Sequence, residues 1–282
     1  MEHLFFRDMS IDNSTKTLFL QQCSVNSLVL FPKVVRMIEN SENLWFAEWF
    51  DTDYYHTLYK HRDEREAELF MRSITNHLQL PAGSQICDLA CGKGRHALFL
   101  SELGYNVTGL DLSENSIQLA KEFEGKNLRF DVHDMREVYA DAQFDGIFNL
   151  FTSFGYFDAQ SDNLKVLKSM KSMLSQNGVS VIDFMNAEKV IANLVAEEVK
   201  TVDGLTFLIK RSYDGTHIFK NIQFDDQGKH FDFTERVQAL KRGDFEDLLS
   251  KAGFKVVGLM GDYELNSFDA QQSDRLILIA QQ

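Results

Sequence analysis

The chain reads as an α/β protein: a parallel sheet covered by helices on both faces, with a small antiparallel sheet added late. Three observations predict this. Strand and helix patterns alternate from residue 84 to 185, a glycine-bearing turn follows the first of those strands, and from about residue 197 the pattern changes to period-two runs parted by turn residues. Strand–helix–strand units of this kind place consecutive strands side by side and parallel, because the crossover helix must return the chain to the same edge.

The elements follow in order. Strands are predicted at 85–89, 106–110, 128–132, 144–150 and 179–184, with helices at 95–103, 113–123 and 163–174. Ser113 supplies an N-cap hydroxyl, and Asn177-Gly178 supplies a helix stop. A short helix at 188–195 precedes the runs TFLIKRSY, HIFKNIQF and HFDFTERVQAL. Asp203-Gly204, Asp214-Gly215 and Gln227-Gly228 part these as hairpin turns, so about three or four antiparallel strands are expected in an insert at about 197–241. A helix at 244–251 and strands at 255–260 and 275–280 then close the main sheet.

Upstream, residues 41–83 read as a helical cap in which apolar and aromatic residues recur at three and four, ending before Pro81. Residues 1–40 hold short apolar clusters without a sustained period and read as an extension without an assigned role.

Composition narrows the function. The 282 residues carry a formal charge of -13, with no basic cluster to grip a nucleic-acid backbone or an anionic membrane. A small molecule fits better as partner. The three cysteines Cys23, Cys87 and Cys91 form no C-x-x-C pair and have no His or Cys at zinc-site spacing, which points to a reducing, cytoplasmic setting and to no metal site. No apolar run approaches the ~20 residues of a membrane helix, and the amino terminus lacks a signal peptide's basic start and apolar core.

The chemistry concentrates in ICDLACGKGRHALFLSELGYNVTGLD, residues 86–111. Gly92 and Gly94 let the backbone turn sharply and approach a ligand, while Asp111, closing the next strand, can accept hydrogen bonds from ribose hydroxyls. An adenosine-containing cofactor is expected. Gly92, Gly94 and Ala97 also satisfy the dinucleotide fingerprint. Asp88, on the strand tip before the glycines, sits badly against a pyrophosphate but well against a cationic amino-acid moiety.

The segment D-L-A-C-G-K-G-R followed by G-L-D-L-S resembles motif I and the following acidic strand end of the class I S-adenosylmethionine-dependent methyltransferases. The resemblance covers 84–185 and returns at 243–280. It implies a Rossmann-like methyltransferase fold with a seven-stranded, mostly parallel sheet whose last strand, 275–280, is its antiparallel edge, and S-adenosylmethionine as cofactor. It assigns the cofactor turn to Asp88, Ala90, Cys91, Gly92 and Gly94, the ribose to Asp111 with Leu112, and the adenine to Asp134 with Met135. Asn149 and Phe151, at the end of the fourth strand, should border the transferred methyl. A Tyr-rich N-terminal helix like that of small class I enzymes would fold over the cofactor, bringing Tyr55, Tyr59 and Arg62 to the methionine carboxylate or sulfonium. The inserted sheet is similar to the accessory sheet that roofs the acceptor pocket in small-molecule methyltransferases.

Methyl transfer is an in-line displacement at an activated sulfonium, so holding the acceptor and excluding water matter most. Where a proton must leave, Tyr156, Asp158, Asp183, His217 and Tyr263 are candidates, and the loop at 152–157 should shape the acceptor site. The sequence after the fourth strand, Asn149-Leu150-Phe151-Thr152, lacks the N-P-P-Y motif of amino-base methyltransferases. The expected reaction is methyl transfer to an O, N or C nucleophile of a small molecule. Two other readings use the same residues: an NAD-dependent oxidoreductase, and a non-catalytic S-adenosylmethionine-binding protein.

Overall fold

A computed structural model describes residues 49–60, 64–139 and 143–282. The expected extension at 1–40 and Arg62 lie outside the described residues. Among its described residues, the segment read as one helical cap includes the helices α1 (Asp53–Leu58) and α2 (Glu64–Leu78). The reason for a fresh start at Asp53 is local: Thr52 is extended and its hydroxyl accepts from the Tyr55 amide at 3.1 Å, an N-cap within the periodic run.

The α/β alternation follows as β1 (Gln85–Leu89), α3 (Arg95–Glu102), β2 (Asn106–Asp111), α4 (Glu114–Ala120), β3 (Leu128–Val132), β4 (Phe144–Asn149), α5 (Gln160–Met173) and β5 (Leu174–Met185). β5 begins five residues earlier than expected, because Leu174 is already extended and pairs with Phe144 before a register shift leads to Gly146 opposite Val179. After α6 (Ala187–Ala192) come β6 (Glu197–Val202), β7 (Leu205–Tyr213), β8 (His217–Asp226) and β9 (Lys229–Gln238), then α7 (Arg242–Ala252), β10 (Lys255–Met260) and β11 (Arg275–Gln281).

The seven-stranded sheet has the order β10-β11-β5-β4-β1-β2-β3, with every pair from β5 to β3 parallel. β11 runs antiparallel, as expected, but it is not the edge: it lies between β5 and β10. Leu276 to Ala280 are all buried, and such an unbroken apolar run suits a strand covered on both faces, not an edge. One face packs on α5 and α7 through Val166, Met170, Met173, Phe245 and Leu249. The other packs on α2, α3 and α4 through Phe70, Ile74, Leu100 and Ile117.

The second sheet is antiparallel in the order β6-β7-β8-β9. Asp203-Gly204 and Gln227-Gly228 both have positive φ at their two positions, the two-residue turn that matches strand twist. Its apolar residues Phe207, Ile209, Ile222 and Phe224 form a separate core with Trp49 and Leu58. Strand order in the large sheet reverses between β1 and β4, and such a point leaves a crevice at the strands' carboxyl ends.

Candidate active site

A cavity of about 450 Å³ opens at that crevice. Its walls come from the turn after β1, the ends of β2 and β3, the loop after β4, and the N-terminal segment from Phe50 to Lys60. Of the residues singled out in the sequence, Tyr55, Tyr59, Ala90, Cys91, Gly92, Asp111, Leu112, Asp134, Met135 and Phe151 line it. Asp88, Gly94 and Asn149 are buried behind the lining.

The turn is shaped for close approach. Ala90, Gly92 and Gly94 have φ of 64°, 54° and 83°. A Cβ on Gly94 would fall 2.5 Å from Phe130 Cζ, so glycine is required there by packing as well as by φ. Asp111 holds the turn: its carboxylate accepts from the Gly92 amide at 2.8 Å and the Ser113 amide at 2.9 Å. Burial raises its pKa, and those amides oppose the rise.

Asp88 is 1% exposed, and its Oδ2 has no hydrogen-bond partner. Burial pushes its pKa up to about 7 against the opposing Ala97 amide, with the Asp111 charge adding to the rise. A carboxylate left this way fits a cation placed above the turn. Its influence reaches the cavity as a field, since the side chain lies beneath the turn. Asp134 has its pKa lowered: burial alone would raise it, and the bonds from Arg136, at 2.6 Å to Oδ2, outweigh that.

The loop after β4 carries two consecutive residues in the left-handed region, Phe151 (φ 60°) and Thr152 (φ 64°). Asp183 on β5 fixes both, its carboxylate accepting from the Phe151 amide and its carbonyl from the Thr152 amide, each at 2.9 Å. Arg275 and the Tyr263 hydroxyl donate to the same carboxylate at 2.7 and 3.1 Å. Burial, then the Asp183 charge, raises the Tyr263 pKa further above its ordinary value.

Several of the base candidates have partners away from the cavity. Asp183 and Tyr263 are bonded to each other outside the lining, Asp158 is paired with Arg236, and His217 lies on β8 beside Thr216. Tyr156 does line the cavity.

The second sheet does not roof the cavity as expected, since no residue of β6–β9 lines it. It carries the N-terminal segment instead. Trp49 Nε1 and the Tyr59 hydroxyl both donate to Glu235 Oε1 at 2.7 Å, and Lys220 Nζ lies 2.5 Å from the Tyr59 oxygen and 4.3 Å above its ring. Tyr59 therefore meets the cavity with its hydroxyl committed to the sheet.

Sequence reasoning missed His56, Lys93, Arg95, His96 and His133 among the lining residues. Lys93, Arg95 and His96 lie within or just after the glycine turn, and that adjacency was a usable signal. Burial and then the Arg95 charge lower His96 to about 3, leaving a neutral imidazole whose Nε2 has no partner.

A family model described as a methyltransferase domain matches residues 80–253, more than half of the chain. The chain belongs to this methyltransferase family. It is 27% identical over 212 residues to a putative methyltransferase, YqeM, of Bacillus subtilis, covering 72% of this chain and 85% of that protein. It is 26% identical over 216 residues to a glycine/sarcosine N-methyltransferase of Parasynechococcus marenigrum, covering 72% and 73%. The crystal structure of an S-adenosylmethionine-dependent methyltransferase from Clostridium acetobutylicum superposes with a TM-score of 0.70 at 20% identity, over 81% of this chain and 96% of that one. The enzyme is an S-adenosylmethionine-dependent methyltransferase with a Rossmann-like fold. Asp88's orphaned oxygen, the positive-φ turn and the Asp111 carboxylate facing the cavity fit that cofactor. When bound, the cofactor supplies an electrophilic methyl group on a sulfonium.

Proposed function

We propose that the enzyme methylates a small molecule at an amine nitrogen. The observation that carries this reading is the form of the cavity: about 450 Å³, walled by the N-terminal segment on one side and the post-β4 loop on the other. Such a space accommodates a cofactor and a compact acceptor. α1 serves as the lid, Asp111 and Leu112 take the ribose, Asp134 and Met135 the adenine, and Tyr55 with the turn residues the methionine end. Phe151 borders the methyl, with Asn149 supporting it from behind.

Two of the three imidazoles that line the cavity favour nitrogen over oxygen. His96 is held near 3, and His56 is lowered by burial and then by the Lys93 charge, so neither imidazole is a strong base. A neutral amine attacks with its own lone pair: the N–C bond forms, the C–S bond breaks with its electrons going to sulfur, and the ammonium product then releases a proton to water. The N-methyltransferase relative supports the same choice. The cysteine usage supports a cytoplasmic setting, and among the described residues no helix is long and apolar enough to cross a membrane.

The test is turnover of labelled S-adenosylmethionine with matched amine, alcohol and carbon acids, read as S-adenosylhomocysteine and methylated product. Amine methylation is expected. Turnover confined to the alcohols, or to protein substrates, would overturn the reading.

A further inference from the structure

No residue of the second sheet lines the cavity, yet one residue of that sheet holds part of the wall. The post-β4 loop gives the cavity Phe151 near its start and Tyr156 and Phe157 near its end. Asp183 fixes the start. The end is fixed by Gln238, the last residue of β9: its backbone amide donates to the Gly155 carbonyl at 2.8 Å, and its side-chain Nε2 donates to the Phe157 carbonyl at 2.6 Å. Tyr156 lies between those two carbonyls. A carbonyl can only accept, so the Phe157 bond dictates which end of the Gln238 amide faces the loop. The other end, Oε1, accepts from Asn163 Nδ2 of α5 at 2.8 Å. Gln238 and Asn163 are 8% and 0% exposed, so water does not compete for these bonds. The nearby pair of Arg236 with Asp158 has its carboxylate largely in solvent and adds little.

The two rings face different parts of the cavity. Phe157 carries the Arg136 guanidinium 4.7 Å from its centroid, and Arg136 is bonded to Asp134, the residue given to the adenine. Tyr156 instead meets Phe50 of the N-terminal segment, the ring centroids 5.5 Å apart at 71°. Resting on the amine reading above, we propose that Tyr156 is the wall against which the acceptor amine is held and that Gln238 is the positioning residue for that wall. Gln238 does not line the cavity; it acts by holding the backbone on both sides of Tyr156. In-line transfer depends on such placement, and a misplacement of about 1 Å costs up to about a hundredfold. The second sheet thus serves the acceptor through one amide, without roofing the pocket.

The experiment uses the full chain with S-adenosylmethionine and three acceptor amines: glycine, ethanolamine and benzylamine. For the amines turned over, Gln238→Ala is expected to lower kcat/KM by about tenfold or more, most of it in the acceptor KM, with S-adenosylhomocysteine affinity in calorimetry held within about threefold. Tyr156→Ala, which keeps both backbone carbonyls that Gln238 binds, should give a loss of similar size. The double variant should fall no more than about threefold below the worse single one, because both changes remove one wall. Asn163→Ala releases the Gln238 amide without touching the loop; it should give a smaller loss of the same kind, and it decides the matter if Gln238→Ala does not fold. Unchanged acceptor kinetics with only a lowered melting temperature overturns the inference. A matching loss of S-adenosylhomocysteine affinity overturns it by giving Tyr156 to the cofactor, and multiplicative losses in the double variant overturn it by placing the action of Gln238 elsewhere. Those three results leave amine methylation standing, whereas turnover of none of the amines by the native enzyme overturns both readings.

Discussion

Arg275 donates to Asp183 at 2.7 Å, and this ion pair is the anchor of the cavity wall after β4. Asp183 is fully buried and satisfies the Arg275 guanidinium, the Tyr263 hydroxyl and the Phe151 amide with one carboxylate, while its carbonyl takes the Thr152 amide. Two left-handed non-glycine residues in succession cost roughly 1–2 kcal/mol each, so the loop needs such fixed partners.

Removing one side of the pair leaves an uncompensated buried charge. Asp183→Ala is expected to lose about 3–5 kcal/mol of stability in urea unfolding. Tyr263→Phe removes one bond and should lose about 1 kcal/mol. Equal losses in the two variants would contradict the hub role given to Asp183.

Asp88 predicts a pH dependence with a definite sign. Its folded pKa of about 7 lies above the ordinary 3.8, so the stability it contributes is fully present below about pH 4 and is lost as pH rises through 7. Asp88→Asn should therefore raise the melting temperature of the cofactor-free protein at pH 8 and leave it nearly unchanged at pH 4. A bound cation favours the ionised carboxylate. S-adenosylmethionine affinity in the native protein should rise from pH 6 to 8 with proton release, measurable by calorimetry in buffers of different ionisation enthalpy, and that rise should disappear in Asp88→Asn.

Phe130 occupies the space that two glycines leave open. A Cβ on Gly109 would lie 2.4 Å from Phe130 Cδ1 and 2.9 Å from Cys91 Sγ. Gly109→Ala is expected to cost about 1–3 kcal/mol by overpacking beneath the cofactor turn, and Phe130→Leu in the same chain should recover part of it. A thermal unfolding comparison of the single and double variants checks this.

The elements legible in the sequence are those with local causes. The glycine turn, the Asp111 strand end and the hairpins at Asp203-Gly204 and Gln227-Gly228 each depend on a few adjacent residues whose φ or side-chain chemistry is read directly. The Asp183–Arg275 pair spans 92 residues and exists only because β11 lies against β5, so Asp183 read as a candidate base until the sheet order was known. The inner position of β11 was written in its unbroken apolar run, and the edge expectation followed the family resemblance instead of that run. The second sheet's task was illegible for a different reason: its alternating pattern shows that one face is covered but not what covers it.

What covers it is the N-terminal segment from Trp49 to Tyr59, and Glu235 is where the two meet. It accepts from Trp49 and Tyr59, with Lys220 at 3.9 Å, while Trp49 and Leu58 fill the apolar face beside it. Hydrogen bonds to a charged acceptor are worth roughly 1.5–3 kcal/mol each, less where water competes. Glu235→Ala should weaken docking of this segment by about 1–3 kcal/mol, which is a factor of about 5 to 150 in its open population. S-adenosylhomocysteine should then dissociate about tenfold faster in stopped-flow displacement, and protease should cut the segment at 51–60 sooner. Tyr59→Phe, which keeps the ring in the cavity wall, should give a smaller part of the same change, and combining it with Glu235→Ala should add little because the two residues share one bond. Additive effects would mean that Tyr59 holds the cofactor through its own contacts and that the Glu235 junction is only a packing seam.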